Sequence, residues 1–506
     1  MSKLILGIEL GSTRIKAVLC DENGKVLSQG SYEWKNSLVD GLWSYSLDEA
    51  VKGLQESYKQ LVQSYGTPIE RLDAIGISGM MHGYLTFDEK DNLLAPFRTW
   101  RNTNTKDAAA ELSALFNFNV PMRWSVSQYY QSILENMEHV KDVDFLTTLA
   151  GYIHYLLTGK KVLGANDASG MFPLDGRDYD ATMLEKFNKL TGKSFKRLLP
   201  KVLLAGESAG TLTKKGAKLL DPTGTLKAGA VACPPEGDMG TGMIATHSVA
   251  PRTGNVSSGT AANMTVVLEK PLKHYYREID IIATPDGKPA ALVHTNNCTS
   301  EINEWVNLFS EVAELCGAPV EKGELFTKLF NKSSESDEAV GGLTGYNYLA
   351  GETLANTVNG APLILRKPDG KLNLANFMQM QIYSAISALA LGMDILEKED
   401  VKIDSVTAHG GYYKTDFIGQ NATSAVLNAP VTVMENAGEG GAWGIALLAG
   451  YVLDNTLSLP EYLDKIFADT KNKTVTADEN EKAKCAEFLS RYRKYIRCEK
   501  FASEIK

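Results

Sequence analysis

Two turns rich in glycine and hydroxyls, and two carboxylates that follow apolar runs, are the residues of this chain best suited to chemistry. Gly11-Ser12-Thr13 and Ser258-Gly259-Thr260 can converge backbone amides on a phosphate, because glycine leaves no Cβ in the way. Their hydroxyls add groups for phosphate or for a hydrated metal. Glu9 stands immediately before the first turn, at the end of the apolar run Leu4 to Glu9, where a charge costs desolvation unless it is paired or bound to a cation. Asp238 lies in Gly237-Asp238-Met239-Gly240, whose small neighbours leave room for a ligand. Carboxylates beside phosphate hold a metal or take a proton, since the bare groups repel one another. Taken alone, each turn also reads as a simple hairpin, and each acid as a turn-forming or hydrogen-bonded carboxylate.

His82, in Met80-Met81-His82-Gly83, follows the apolar run that ends at Ser78, and a lone histidine there reads equally as a structural residue. Trp100-Arg101-Asn102-Thr103-Asn104 offers an aromatic face with polar donors, a common way to hold a sugar and also a common loop composition. No GxxxxGK[ST] loop occurs in the chain. Glu439-Gly440-Gly441-Ala442-Trp443-Gly444 lacks GxGxxG spacing and opens no strand-helix-strand unit, which argues against a dinucleotide-dependent oxidoreductase.

The elements that must position these residues follow from hydrophobic pattern and turn residues. Leu4 to Glu9, Ile15 to Cys20 and Lys25 to Leu27 predict three short strands joined by tight turns, an antiparallel meander. Ser46 to Tyr65 carries helical spacing with Ser46 as its cap, and Ala74 to Ser78 is a further buried strand. Residues 105–200 read as a largely helical insertion. Ala228 to Cys233 predicts a strand, with Asp238 on the loop beyond it and a glycine-rich helix from Met239 to Thr246 behind. After Pro251 the opening pattern recurs, a glycine-hydroxyl turn feeding a strand from Ala261 to Leu268. Leu374 to Leu396 and Ala442 to Leu453 predict helices, and the strand Ser405 to Ala408 ends at His409-Gly410-Gly411. The order of elements is that of an α/β protein, with a domain boundary near residue 250.

At 506 residues the chain exceeds what a single core organises, and 44% apolar with 22% charged residues is an ordinary globular balance. The net charge of −9 comes without any basic block, so a nucleic-acid partner is not expected. Six scattered cysteines show neither CxxC pairs nor zinc spacing and are expected to be reduced. The N-terminal apolar run is too short for a signal peptide, and Ala442 to Leu453 falls short of the roughly 20 residues that span a bilayer. A cytoplasmic protein with no membrane partner is expected.

In their order along the chain these segments resemble the FGGY carbohydrate kinases, relatives of actin, hexokinase and the heat-shock chaperone ATPases. Gly7-Ile8-Glu9-Leu10-Gly11-Ser12-Thr13 is similar to the family's first phosphate loop and Lys16 to its basic position. Gly41-Leu42-Trp43-Ser44 resembles a segment that lines the sugar site. Met81-His82-Gly83 is similar to the Met-His-Gly of xylulose kinases, and Ala168 to Asp175 to a stretch of the same subgroup. Gly237-Asp238 matches the catalytic aspartate, Ser257-Ser258-Gly259-Thr260 the second phosphate loop, and Tyr348 to Thr353 a Leu-Ser-Gly-Glu stretch. His409-Gly410-Gly411 and Ala437 to Ala442 resemble the adenosine-binding segments. The chain departs from the pattern at Glu9, where the family has Asp, at Trp100 to Asn104, where it has Trp-Asn-Asp-x-Arg, and at Tyr412, in place of a glycine.

The resemblance implies two ribonuclease H-like α/β domains of the actin/hexokinase superfamily, residues 1–250 and 251–506, with a cleft between them. It implies ATP-dependent phosphorylation of a sugar hydroxyl, with Asp238 as general base and Mg²⁺ held near Glu9 and Asp238. Met81, His82, Trp43, Trp100, Asn102 and Asp238 are the implied sugar contacts. Gly11, Ser12, Thr13, Lys16, Ser258, Gly259, Thr260, Gly410, Gly411, Tyr412 and Glu439 are the implied ATP contacts, with the Tyr412 ring stacking on the base or narrowing its pocket. The Met-His-Gly segment points to a ketopentose, D-xylulose ahead of L-ribulose. Other polyol or aldonate kinases, and a non-catalytic nucleotide-dependent switch, are the alternatives. Dimers are common in the family, and a homodimer is expected on that analogy alone.

Overall fold

The N–H of Gly11 donates to the Arg14 carbonyl at 3.0 Å, and this turn reverses strand β1 (Ile5–Leu10) into β2 (Arg14–Cys20). β3 (Val26–Glu33) continues the antiparallel meander. β4 (Ala74–Gly79) lies parallel to β1 on its other side, with β5 (Val231–Ala232) and β6 (Glu236–Gly237) both parallel to β4. The sheet order is therefore β5-β4-β1-β2-β3, with β6 beside β4. The expected strand from Ala228 to Cys233 shortens to two residues. Between β3 and β4, the helix Leu47–Tyr65 starts at Ser46, whose hydroxyl accepts the Glu49 N–H, and stops at Gly66 in the left-handed region.

This computed structural model describes residues 2–434 and 440–505. The chain forms two units. One comprises Met1–Val249, Asp280–Ala290 and Gly438–Asp469, and the other Ala250–Ile279, Ala291–Ala437 and Thr470–Lys506. The two returns of later segments to the first unit are absent from a reading of two contiguous parts. In the expected insertion, helices Lys106–Phe116, Ser125–Leu134 and Ala181–Thr191 build a separate aromatic core around Trp124, Tyr129, Phe172, Phe187 and Phe195, whereas Leu149–Thr158 packs into the core of the first sheet.

The second sheet repeats the local plan of the first. β7 (Thr253–Ser258) turns at Gly259 into antiparallel β8 (Ala262–Val267), followed by β9 (Ile279–Ala283) and β10 (Pro289–Thr295). β11 (Ser405–His409) runs parallel to β7, β12 (Val431–Met434) parallel to β11, and β13 (Asn472–Val475) closes the edge antiparallel. The order is β9-β10-β8-β7-β11-β12-β13. In both sheets a glycine-hydroxyl turn joins a central strand to an antiparallel neighbour while a parallel strand flanks the other side.

Gly7 and Gly76 pair in register on β1 and β4. A Cβ on Gly7 would stand 2.1 Å from the Ala442 carbonyl oxygen, and one on Gly76 2.7 Å from that of Ile445. The helix Gly440–Leu453 therefore rests with its backbone on the strands. Gly7→Ala is expected to lower stability by roughly 1–3 kcal/mol, the usual cost of overpacking, in a urea titration. A wild-type midpoint would show that the helix is free to move away.

Candidate active site

Asp238 is the first residue of the helix Asp238–Ala245, directly after β6, and not a loop residue as the sequence suggests. Its half-buried carboxylate stands at a helix N-terminus, where the dipole favours negative charge. Oδ1 accepts the Met81 N–H at 3.1 Å, which joins the ends of β4 and β6. Burial raises its pKa above the usual carboxylate range, and the N–H groups of Met81 and Met239 oppose the rise. The helix is held by Asn166, whose Oδ1 accepts the Gly240 N–H at 2.9 Å, and by Thr241, which meets Ser78 at 2.9 Å between hydroxyls. Asn166 and Thr241 carry no motif signal of their own. Asn166 could have been suspected only from its place two residues before Ala168.

Glu9 faces a second helix N-terminus. Its carboxylate accepts the backbone N–H groups of Gly441 and Ala442, at the start of the helix Gly440–Leu453. Burial, and then the charge of Asp238, raise its pKa to about 7, while those amides and Lys16 oppose the rise. Lys16 lies opposite Glu9 in the β1–β2 register. A carboxylate whose ionisation is made costlier by a neighbouring carboxylate suits a divalent cation. Among the described residues no group of three or more His, Cys, Asp or Glu is arranged to hold a metal.

The turn after β1 is tied down through its carbonyls. Trp34 Nε1 donates to the Gly11 carbonyl at 2.7 Å, the Tyr45 hydroxyl to that of Ser12 at 2.6 Å, and the Trp34 N–H to that of Thr13 at 3.2 Å. The groups that would repel a phosphate are thus engaged by the protein. In the second unit the same holds for Gly259, whose carbonyl accepts the N–H and hydroxyl of Thr299. Gly410 packs on this turn so closely that a Cβ would meet the Ser258 carbonyl oxygen at 2.1 Å, and its φ of 113° suits glycine. Ser258, Gly259, Thr260, Gly410 and Gly411 therefore gather at one end of the second sheet.

The Tyr412 ring corrects the sequence reading. It is fully buried, donates its hydroxyl to the Ile382 carbonyl at 2.8 Å and packs edge-on to Phe330, so it belongs to the core and stacks on no base. Its neighbour Tyr413, which the sequence did not single out, shares a hydrogen bond with the Ser258 hydroxyl at 3.2 Å. Glu439 lies outside the described residues.

On the implied sugar side, Met81 and His82 are buried at the end of β4. His82 Nδ1 is 3.3 Å from the Gly170 carbonyl, which can only accept, so Nδ1 carries the hydrogen. Nε2 accepts from Arg123 Nε at 3.0 Å. Burial and the Arg123 charge hold the imidazole pKa well below its usual value, so the ring is neutral. Asn102 is also committed: its Oδ1 accepts the Trp43 N–H at 2.8 Å, and its Nδ2 donates to the carbonyls of Trp43 and Thr99. It clamps backbone instead of presenting its amide to a sugar. The Arg101 guanidinium lies 3.8 Å from the centre of the Trp43 ring, and Trp100 is 42% exposed.

Residues 4–226 match the N-terminal domain of the FGGY family of carbohydrate kinases, and residues 254–453 its C-terminal domain. The chain belongs to this family. It is an ATP-dependent carbohydrate kinase with the two-domain α/β fold of FGGY kinases. It is 23% identical to a xylulose kinase of Haemophilus influenzae, over 95% of each chain. It is 22% identical to a gluconokinase of Bacillus subtilis, over 92% of this FGGY kinase and 91% of the relative. A crystal structure of a xylulose kinase from Brucella ovis superposes with a TM-score of 0.81 at 20% identity, covering 98% and 99% of the two chains. No helix among the described residues of this kinase is long and apolar enough to cross a membrane.

The Glu9 carboxyl supplies a test of the site's electrostatics. With a folded pKa near 7 against an ordinary 4.5, the folded protein keeps a proton that the unfolded chain gives up. Glu9 therefore costs stability progressively as pH rises through that window. Glu9→Gln removes the ionisation. In magnesium-free buffer its Tm relative to wild type is expected to rise between about pH 5 and about pH 8. A constant difference would mean that Glu9 is already charged at the lower pH.

Proposed function

We propose that this kinase phosphorylates a ketopentose, D-xylulose ahead of L-ribulose, and that Asp238 takes the proton of the attacking hydroxyl. The observation that carries the reading is the placement of Asp238: a half-buried carboxylate with a raised pKa, anchored to the Met81 N–H beside His82. A general base works best when its pKa approaches the working pH, and burial moves Asp238 in that direction. The helix N-terminus fixes the carboxylate without neutralising it. The Met81-His82-Gly83 segment supports a ketose, and the gluconokinase relative makes an aldonate the second candidate. Membership of a carbohydrate kinase family speaks against a nucleotide switch without a sugar.

Gly11, Ser12, Thr13 and Lys16 are proposed to hold ATP phosphate in the first unit. Ser258, Gly259, Thr260, Gly410 and Gly411 are the proposed nucleotide contacts of the second. Glu9 and Asp238 would hold Mg²⁺, which when bound offsets charge on the transferring phosphoryl group. The Gly441 and Ala442 amides already fix the Glu9 carboxylate that would contribute to holding the ion.

The test is ADP release with ATP and Mg²⁺ across xylulose, ribulose, other ketoses, glycerol and gluconate. Strong stimulation by xylulose is expected, and stimulation by gluconate alone would transfer the assignment to the aldonate. With the preferred sugar, Asp238→Asn is expected to lose roughly 10²-fold or more in kcat, the scale of general base catalysis. Near wild-type turnover would remove Asp238 from that role.

A further inference from the structure

We infer that Asp280 and Arg123 form a positioning device for His82, and that Asp280 thereby sets the kinase's affinity for its sugar. The inference rests on the proposed ketose and on the sugar contacts that the family resemblance implies at Met81 and His82; with both His82 ring nitrogens engaged, its contact falls to the carbon edge and face of the ring. Arg123 reaches two partners with one planar fork: Nε donates to His82 Nε2, and Nη2 donates to Asp280 Oδ2. Asp280 is held in turn by Asn119, whose Nδ2 donates to Oδ1 at 2.6 Å. The Asp280 side chain is 11% exposed and that of Arg123 28% exposed, so the pair is largely withdrawn from solvent.

The chain of bonds decides what His82 can be. Gly170 fixes the hydrogen on Nδ1, and Arg123, which has no lone pair to offer, makes Nε2 an acceptor. The ring is thereby locked in one tautomer and one orientation. Further constraints converge on it. His82 has φ 69°, in the left-handed region that few non-glycine residues enter. A Cβ at Gly170 would lie 2.6 Å from Nδ1, and the Trp124 ring stacks at 6.4 Å with 23° between planes. Arginine suits the task, because a lysine ammonium has no fixed fork with which to join an imidazole and a carboxylate at once. Without the Asp280 charge, the guanidinium would stand beside a buried neutral ring with no counterion, an arrangement that favours its withdrawal to water.

The experiment measures KM for the preferred sugar, KM for ATP and kcat in His82→Ala, Asp280→Asn, Arg123→Lys and the double variant His82→Ala/Asp280→Asn. Asp280→Asn and Arg123→Lys are each expected to raise the sugar KM about tenfold, a coupling typical of residues in contact, with ATP KM unchanged. In the His82→Ala background, Asp280→Asn is expected to add less than about twofold, because the residue it positions is gone. Arg123→Lys keeps a cation beside Asp280, so the question stays open to test if Asp280→Asn folds poorly. If His82→Ala raises the sugar KM while Asp280→Asn and Arg123→Lys do not, the positioning role is overturned and the sugar placement stands. The same holds if Asp280→Asn acts with equal force in the His82→Ala background. If His82→Ala leaves the sugar KM unchanged, the sugar placement falls and the positioning role with it.

Discussion

The first unit depends on a helix laid directly on glycine. Gly7 and Gly76 stand side by side on the central parallel strands, and the backbone of the helix Gly440–Leu453 fills the space their side chains would take. The same helix carries Gly444, where a Cβ would meet the Thr241 carbonyl oxygen at 2.1 Å, so the helix that begins at Asp238 is seated equally closely. Backbone contacts of this kind have no adjustable rotamer, and protein interiors transmit such constraints because they are close-packed. Two helix N-termini are delivered as a result, one to Glu9 and one carrying Asp238. The distance between the functional carboxylates is set by strands and helices, and the side chains only complete it.

The same packing explains the electrostatics. Four acids lie in this part of the unit: Glu9, Asp167, Glu236 and Asp238. Asp167 and Glu236 are fully buried; burial raises Asp167 to about 8 and Glu236 well above the usual range, so both are neutral near pH 7. Asp167 accepts the Thr148 hydroxyl at 2.5 Å, and its N–H donates to Glu236 at 3.1 Å, which makes the pair a structural link between the segment before Ser169 and β6. Asp167 and Asp238 interact, so a charged Asp167 would add to the cost of ionising Asp238. Asp238 is left as an ionisable group whose pKa burial raises, which suits the base role proposed for it.

Much of this was legible in the sequence. The meander, the capped helix after Ser46, the strand at Ala74 and the glycine-hydroxyl turns follow from local pattern, because hydrophobic period and turn chemistry act within a few residues. The carboxylates Glu9 and Asp238 were legible for the same reason: a charge at the end of an apolar run is conspicuous. What was hidden depends on contacts distant in sequence. Arg123 sits in an irregular stretch between helices, Asp280 lies on a strand more than a hundred residues later, and neither is unusual where it stands. Asn102 was legible as a polar residue near aromatics, but not its commitment to the Trp43 backbone.

The departures from the family pattern separate along the same physical line. Tyr412 stands where the family has a glycine, yet its ring is fully buried, bonded to the Ile382 carbonyl and edge-on to Phe330, after the short turn Gly411–Tyr413. Gly410, two residues earlier, has no such freedom, since the Ser258 carbonyl already occupies the place of its Cβ. Glu9 is longer than aspartate by one methylene, and the added reach is used: its carboxylate arrives at the amides of Gly441 and Ala442. A glycine whose missing Cβ faces backbone is fixed by geometry, whereas a position with an apolar space or a helix terminus before it can lengthen. Glu9 and Tyr412 are of the second kind. In this chain, then, the glycines are fixed where backbone meets backbone, and the longer side chains of Glu9 and Tyr412 stand where a side chain has somewhere to go.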